Sequence, residues 1–260
     1  MANIHIPALA PEIIGHIGPV PVTNTMMNVW LAMILLFVFG LYLRRRIALH
    51  PGRLQNGAEY IIDTLAGYFD QVTGSRDKTY KYFPLVGSVF FFILLSNWLG
   101  LMPGTGTLTI AHEPLFRPAN TDLNLTVAMA LVSVLMSHIL AFGSIGFFVH
   151  SNKFFQIGTI IKSFRHGPIA IFTALIEFIV GIIEIIGEGA KVLSLSLRLF
   201  GNIFAGEVLI SVISALVSAL VPLPFMLLEL LVGLIQASVF AMLTLVYLTV
   251  AGTEPHGEEL

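Results

Sequence analysis

From Gly167-Pro168 to Ser218 the chain runs for roughly fifty helix-compatible residues, about 75 Å at 1.5 Å per residue, against a bilayer hydrocarbon core of about 30 Å. No upright span absorbs that length, so the segment must tilt steeply, bend or break. Gly187-Glu188-Gly189 is the natural break point, and a reversal there would invert everything downstream. One long tilted helix is expected instead, because a single charged stripe continues across those glycines. Glu177, Glu184, Lys191 and Arg198 follow one another at seven-residue spacing, which drifts by only about 20° per step on a 3.6-residue helix. Arg198 is the costliest of them. A guanidinium at bilayer depth costs about 2.5–3.5 kcal/mol on insertion scales and cannot shed its charge, so a task is expected of it.

The rest of the composition agrees with a membrane setting. With 56% hydrophobic and 11% charged residues and a mean hydropathy of +0.90, the chain holds too much apolar surface for a soluble domain of 260 residues. The expected class is an all-α integral membrane protein with five transmembrane helices, an amphipathic helix on the cytoplasmic surface, and the last two helices long and tilted as an antiparallel pair. The net charge of −2 conceals segregation: ten of the thirteen Lys and Arg residues lie in Arg44–Arg53, Arg76–Lys81 and Lys153–Arg165. Those regions are expected to face the cytoplasm. There is no cysteine, which excludes disulfides and thiol chemistry.

Residues 1–24 are rich in Pro, Gly and His and are expected to form an external tail with weak interfacial character, followed by one membrane domain over 25–251 and an acidic tail at 252–260. The N-terminus lacks the basic region and compact apolar core of a cleavable signal. A first span is predicted at Thr25–Leu43, ending at Arg44-Arg45-Arg46, which sets the N-terminus outside. Between Gln55 and Val72, apolar residues recur at helical spacing opposite Glu59, Asp63 and Asp70, as in a helix lying on a membrane surface. A second span is predicted at Tyr82–Leu101, an outside connection at Pro103–Thr121 with one basic residue, Arg117, and a third span at Leu123–His150. Pro222-Leu223-Pro224 is expected to make a tight external turn before a last span at Phe225–Val250, with the C-terminus cytoplasmic.

Residues at matching depth in an antiparallel pair have a constant index sum, which sets Arg198 beside Gln236 and Glu207 beside Glu229. Glu207 lies nine residues beyond Arg198, about 180° around the helix and about 13.5 Å further along. Arg198 stays charged at any physiological pH and can act as an electrostatic gate but not as a proton carrier. Glu207 and Glu229 are expected to titrate as one coupled unit in contact with outside water. Glu177, Glu184 and Glu188 form a second acidic wall on the cytoplasmic side of Arg198. A continuous polar path would let ions run down the potential, worth about 2.3 kcal/mol per charge per 100 mV, without doing work. Two half-paths joined only through a moving, carboxylate-bearing partner would capture that energy.

Plainer roles exist for most of these residues. Arg198 can be a structural ion-pair partner, Lys191 can snorkel or pair with Glu184 or Glu188, and Glu207 and Glu229 can be hydrogen-bonded packing residues. Asn202 and Gln236 can simply join helices. His138, mid-span, can be satisfied by packing. Asp122 and Asn124 open the third span, where Asn120, Thr121 or Asp122 can serve as a helix N-cap as readily as line an ion entry. No Walker sequence and no metal-ligand cluster is found, so no cofactor, no bound nucleotide and no nucleic-acid partner is expected.

The run Ser194-Leu195-Ser196-Leu197-Arg198-Leu199-Phe200-Gly201-Asn202-Ile203-Phe204-Ala205-Gly206-Glu207 closely resembles subunit a of the membrane sector of F-type ATP synthases. Supporting similarities are Ile235-Gln236-Ala237 with Phe240 and Leu243-Thr244, Ser96-Asn97-Trp98-Leu99-Gly100-Leu101-Met102-Pro103, and Pro118-Ala119-Asn120-Thr121-Asp122-Leu123-Asn124. Together they cover nearly the whole chain beyond about residue 25. The resemblance implies a stator that couples ion flow, most simply of protons, to rotation of a ring of c subunits, with a b-subunit peripheral stalk, in a bacterial inner membrane. It further implies that Arg198 is the gate, flanked by Asn202 and Gln236, that Glu207, Glu229, Asp122 and Asn124 belong to the outside half-channel, and that Glu184, Glu188 and Glu177 belong to the cytoplasmic one. Such a chain is not catalytic alone. Two features depart from many relatives: Lys191 is followed by Val192 instead of Pro, and Glu229 stands where some relatives carry His. A self-contained transporter or channel would also use intramembrane charges, but no repeat symmetry supports it. A passive scaffold is the third reading.

Overall fold

Proline and glycine set the ends of the elements, and apolar runs set their lengths. The computed structural model describes residues 8–102, 109–110, 113–146, 168–216 and 221–252. The basic stretch Lys153–Arg165 and the acidic tail from Glu254 lie outside the described residues.

The chain first forms a hairpin, β1 (Ile13–Ile17) and β2 (Val20–Thr23), within the segment expected to be a tail. Gly18, at φ 62°, supplies the left-handed residue such a turn needs. Helix α1 (Asn24–Arg46) starts where the Thr23 hydroxyl accepts the Met26 N–H at 3.3 Å and ends on Arg44-Arg45-Arg46, favourable charges at a helix C-terminus. The amphipathic α2 (Arg53–Thr73) closes on Gly74, at φ 67°, whose N–H bonds the Asp70 carbonyl at 2.9 Å. That left-handed residue turns the chain straight into α3 (Arg76–Gly100). Arg76 then reaches back to Asp70 at 2.8 Å and Asp63 at 3.1 Å. The Thr79 hydroxyl and the Arg76 guanidinium hold the Asp70 carboxyl below the usual carboxylate range.

After α3 come two short paired segments, β3 (Thr109–Ile110) and β4 (Glu113–Pro114), and a 3₁₀ turn at Ala119–Thr121. Helix α4 (Leu123–Ile145), the 49-residue α5 (Pro168–Leu216) and α6 (Pro222–Ala251) are the remaining helices among the described residues. Helix α5 runs unbroken through Gly187-Glu188-Gly189. Pro222-Leu223-Pro224, expected as a turn, instead forms the first turn of α6. The reason is local: a helix start has no intrahelical partner for its first N–H groups, so proline loses nothing there and its fixed φ favours the helix. Among the described residues five helices, α1, α3, α4, α5 and α6, are long and apolar enough to cross a membrane.

The core lies among α2, α3, α4, α5 and α6. Phe69, Val86, Phe90 and Ile93 of α2 and α3 form one cluster with Ala130 of α4, with Leu195, Leu199 and Ile203, spaced four apart along α5, and with Ala237, Phe240, Ala241, Leu245 and Leu248 of α6. That stripe settles which way α5 faces: Leu193, Leu197, Arg198, Gly201, Asn202, Ala205 and Leu209 remain exposed on its other side. Contacts along α5 and α6 step in opposite directions, Lys191 with Tyr247, Asn202 with Gln236, and Gly206 with Glu229. The two helices are therefore antiparallel.

Candidate functional site

Three groups of polar side chains are arranged along α5. Arg198 is exposed, and its Nη2 donates to the Ser194 hydroxyl, one turn earlier, at 3.1 Å. Among the described residues no carboxylate forms a salt bridge with it. One turn further on, Asn202 Nδ2 donates to Gln236 Oε1 of α6 at 2.9 Å. The index-sum rule set Gln236 beside Arg198; its hydrogen bond is to Asn202, four residues on. Both amides line a cleft of about 440 Å³ between α5 and α6, together with Gly206, Leu209, Glu229 and Val232.

Glu229 sits at the closed side of this cleft. It is 7% exposed, and its carboxyl occupies the space that a side chain at Gly206 would fill. Its Oε1 is buried without a hydrogen-bond partner among the described residues, an unusual state for a carboxyl oxygen. Glu207, set beside Glu229 by the index sum, is engaged elsewhere. Arg117 Nε donates to Glu207 Oε1 at 2.9 Å and to Oε2 at 3.1 Å, and Nη2 donates to Oε2 at 2.9 Å. The Arg117 side chain is 4% exposed. The sequence reading counted Arg117 only as the basic residue of an outside connection. The available signal was its isolation: it is one of three cations, with Lys191 and Arg198, outside the basic clusters.

Behind Glu229, buried amides bind α3, the 3₁₀ turn and α6 together. Asn120 Nδ2 donates to Asn97 Oδ1 at 2.7 Å, and Asn97 Nδ2 reaches the Gly233 carbonyl at 3.5 Å. Asn28 of α1 donates to the Arg117 carbonyl at 2.9 Å. Gly100 permits this packing, since a side chain there would collide with the Pro118 backbone. Asp122 is buried and caps α4, accepting the Asn124 N–H at 2.9 Å and the Thr25 hydroxyl at 3.3 Å. Asn124 is exposed on the first turn of α4.

The third group lies on the other side of Arg198. Lys191 Nζ donates to Glu188 Oε1 at 2.6 Å, His138 Nε2 of α4 lies 3.5 Å from Glu188 Oε2, and Lys191 sits 5.0 Å from the Tyr247 ring centre of α6. Helices α4, α5 and α6 are thus tied together about two to three turns from Arg198. Glu184 is half-buried one turn earlier. Glu177 belongs to α5, and its side chain lies outside what is described.

Residues 26–249 match the family model described as "ATP synthase A chain". The chain is 36% identical over 229 residues to "ATP synthase subunit a 1" of Syntrophotalea carbinolica, covering 88% of this chain and 86% of that protein. It is 37% identical over 240 residues to "ATP synthase subunit a" of Gloeobacter violaceus, covering 89% and 85%. The same description belongs to a Moorella thermoacetica protein 31% identical over 239 residues, covering 92% and 94%.

Proposed function

The chain belongs to the ATP synthase A chain family, and from that membership we propose that it is the ion-translocating stator of a rotary ATP synthase, working beside a ring of carboxylate-bearing c subunits. It is a multi-pass membrane protein; the proposed site is a bacterial inner membrane, with the N-terminus outside and the C-terminus cytoplasmic. A b-subunit stalk holds it against rotation, and the chain carries out no bond chemistry by itself.

The observation that carries this reading is the exposure of Arg198 on the face of α5 turned away from the chain's own core. A structural cation in apolar surroundings is expected to be paired internally; among the described residues, this one hydrogen-bonds only to a neutral hydroxyl of its own helix. It is therefore available to a carboxylate arriving from outside the chain. Rotor carboxylates pair with it in passing and are reprotonated on either side. The outside half-path leads to the Glu229 cleft, with Glu207, Asp122 and Asn124 lining the approach and Asn202 and Gln236 flanking the gate. The cytoplasmic half-path passes Glu177, Glu184 and Glu188. Protons are the ion proposed.

The test is reconstitution. In liposomes the purified chain should move no ions, whereas the whole complex should acidify vesicles when driven by ATP. Arg198→Ala should assemble with its partners and abolish that acidification. Normal pumping by the assembled variant, or solute movement by the chain alone, would refute the stator reading.

A further inference from the structure

Resting on the stator reading, we propose that Arg117 is a positioning residue that holds Glu207 as a fixed counter-charge, so that of the two outer carboxyls only Glu229 exchanges ions with outside water.

The two carboxyls have opposite surroundings. All three nitrogens of the Arg117 guanidinium are engaged. Nε and Nη2 bind both oxygens of Glu207, while Nη1 donates to the Ala10 carbonyl at 3.3 Å and Nη2 to the Ala8 carbonyl at 2.8 Å. The Phe204 ring centre lies 5.9 Å away, and the Arg117 backbone is held by Asn28. A guanidinium cannot give up its proton. Protonating Glu207 would therefore leave a nearly fully buried cation without its counter-charge, one of the least tolerated changes in a protein interior. Two parallel charge-assisted bonds also fix the carboxylate in place. A group so held does not release and rebind protons as the rotor turns.

Glu229 has what a relay needs. One carboxyl oxygen has no partner, the carboxyl rests in the gap at Gly206, and the cleft it lines also contains Asn202 and Gln236. A carboxyl with an unpartnered oxygen, on a residue that lines a cleft, can take and pass on a proton without breaking an ion pair. Ala8 and Ala10, bound to Arg117 through their carbonyls, become part of the same outer assembly, which gives the N-terminal segment a role beyond that of a tail.

The deciding comparison is ATP-driven acidification by the whole complex in vesicles, with copurification of the partners as the assembly control. Arg117→Gln and Glu207→Gln should each lower pumping by about tenfold or more, because each strands one buried charge. The double variant Arg117→Gln/Glu207→Gln should recover to within about threefold of the parent, since a neutral amide pair strands none. Arg117→Lys should recover part of the activity lost in Arg117→Gln. Glu229→Gln should stay inactive in either background. If Arg117→Gln does not assemble, the double variant decides alone. An assembled but silent double variant would mean that Glu207 itself carries ions and would overturn the proposal, as would a double variant that fails to assemble or an Arg117→Gln that pumps normally. The stator reading is judged separately, by whether Arg198→Ala silences the parent complex.

Discussion

Asn202 and Gln236 meet side chain to side chain at 2.9 Å across α5 and α6, one helical turn from Arg198. The bond fixes the rotation of α6 against α5 beside Arg198, the proposed gate, and both amides line the cleft with Glu229. Water entering that cleft by the outside half-path can replace the lost partner of Asn202. Gln236→Leu should accordingly assemble and lose only the net worth of a hydrogen bond, about 0.5–1.5 kcal/mol. ATP-driven pumping should fall by roughly two- to tenfold, the same energy expressed as a rate. Quenching of a pH-sensitive dye in vesicles measures it; complete loss would give the amide a direct part in ion transfer.

Arg198 and Lys191 lie seven residues apart on α5 but differ in surroundings. Lys191 is bonded to Glu188 and lies over Tyr247, whereas among the described residues the side-chain hydrogen bond of Arg198 goes to Ser194. Charge alone does not define the gate, because an ammonium in apolar surroundings can release its proton and a guanidinium cannot. Arg198→Lys should assemble and still lose coupled pumping by at least about tenfold. Passive proton flux through the complex, measured under an imposed potential without nucleotide, should rise above that of the parent. A tight, fully coupled Lys variant would show that any cation suffices.

Gly206 offers a separation of stability from function. Alanine is the better helix former by about 0.5–1 kcal/mol, so Gly206→Ala should not weaken α5 itself. Its methyl group, however, would occupy the place of the Glu229 carboxyl, and the flexible glutamate must swing aside. Displacement of a reacting group by about 1 Å can cost up to about a hundredfold. The expected result is a complex with unchanged thermal stability and pumping reduced by about tenfold or more. Equal pumping in parent and variant would mean that the seat of Glu229 at Gly206 is immaterial.

How much of this was legible in the sequence depends on the range of the interaction. The spans, the surface helix and the unbroken α5 follow from hydrophobic periodicity and the seven-residue charge spacing, which are local properties of each helix. The antiparallel pairing of α5 and α6 also follows, because few residues separate them in the sequence, and index arithmetic brought Gln236 within a turn of its observed partner. The same arithmetic fails for Glu207. It treats two helices in isolation, and the residue that binds Glu207 is Arg117, ninety positions away on a connection with no periodic pattern. The β1–β2 hairpin was missed for a related reason: its strands are short, and Pro21 within β2 argues against a strand in any local reading. The proline turn became a helix start because two prolines mark either element equally well.

The α2–α3 corner provides the pH test. Asp70 accepts from Arg76 at 2.8 Å, and together with Thr79 this lowers its folded-state pKa below the ordinary value of 3.8. A carboxyl depressed by folding contributes stability that is complete above its unfolded pKa and disappears as the pH falls through the folded value. The corner should therefore be insensitive to pH at neutrality and loosen only as the solution is acidified below about 4. Amide exchange along α2, followed in nanodiscs from pH 6 downward after correction for intrinsic rates, should show protection declining in that window. Asp70→Asn should begin less protected and lose this part of the pH response, while Gly74→Ala, which forces a side chain into a left-handed residue, should lower protection at every pH by about 1–2 kcal/mol. If Asp70→Asn reproduces the parent's acid response, the loosening arises elsewhere, and the Asp63–Arg76 contact at 3.1 Å becomes the next group to neutralise.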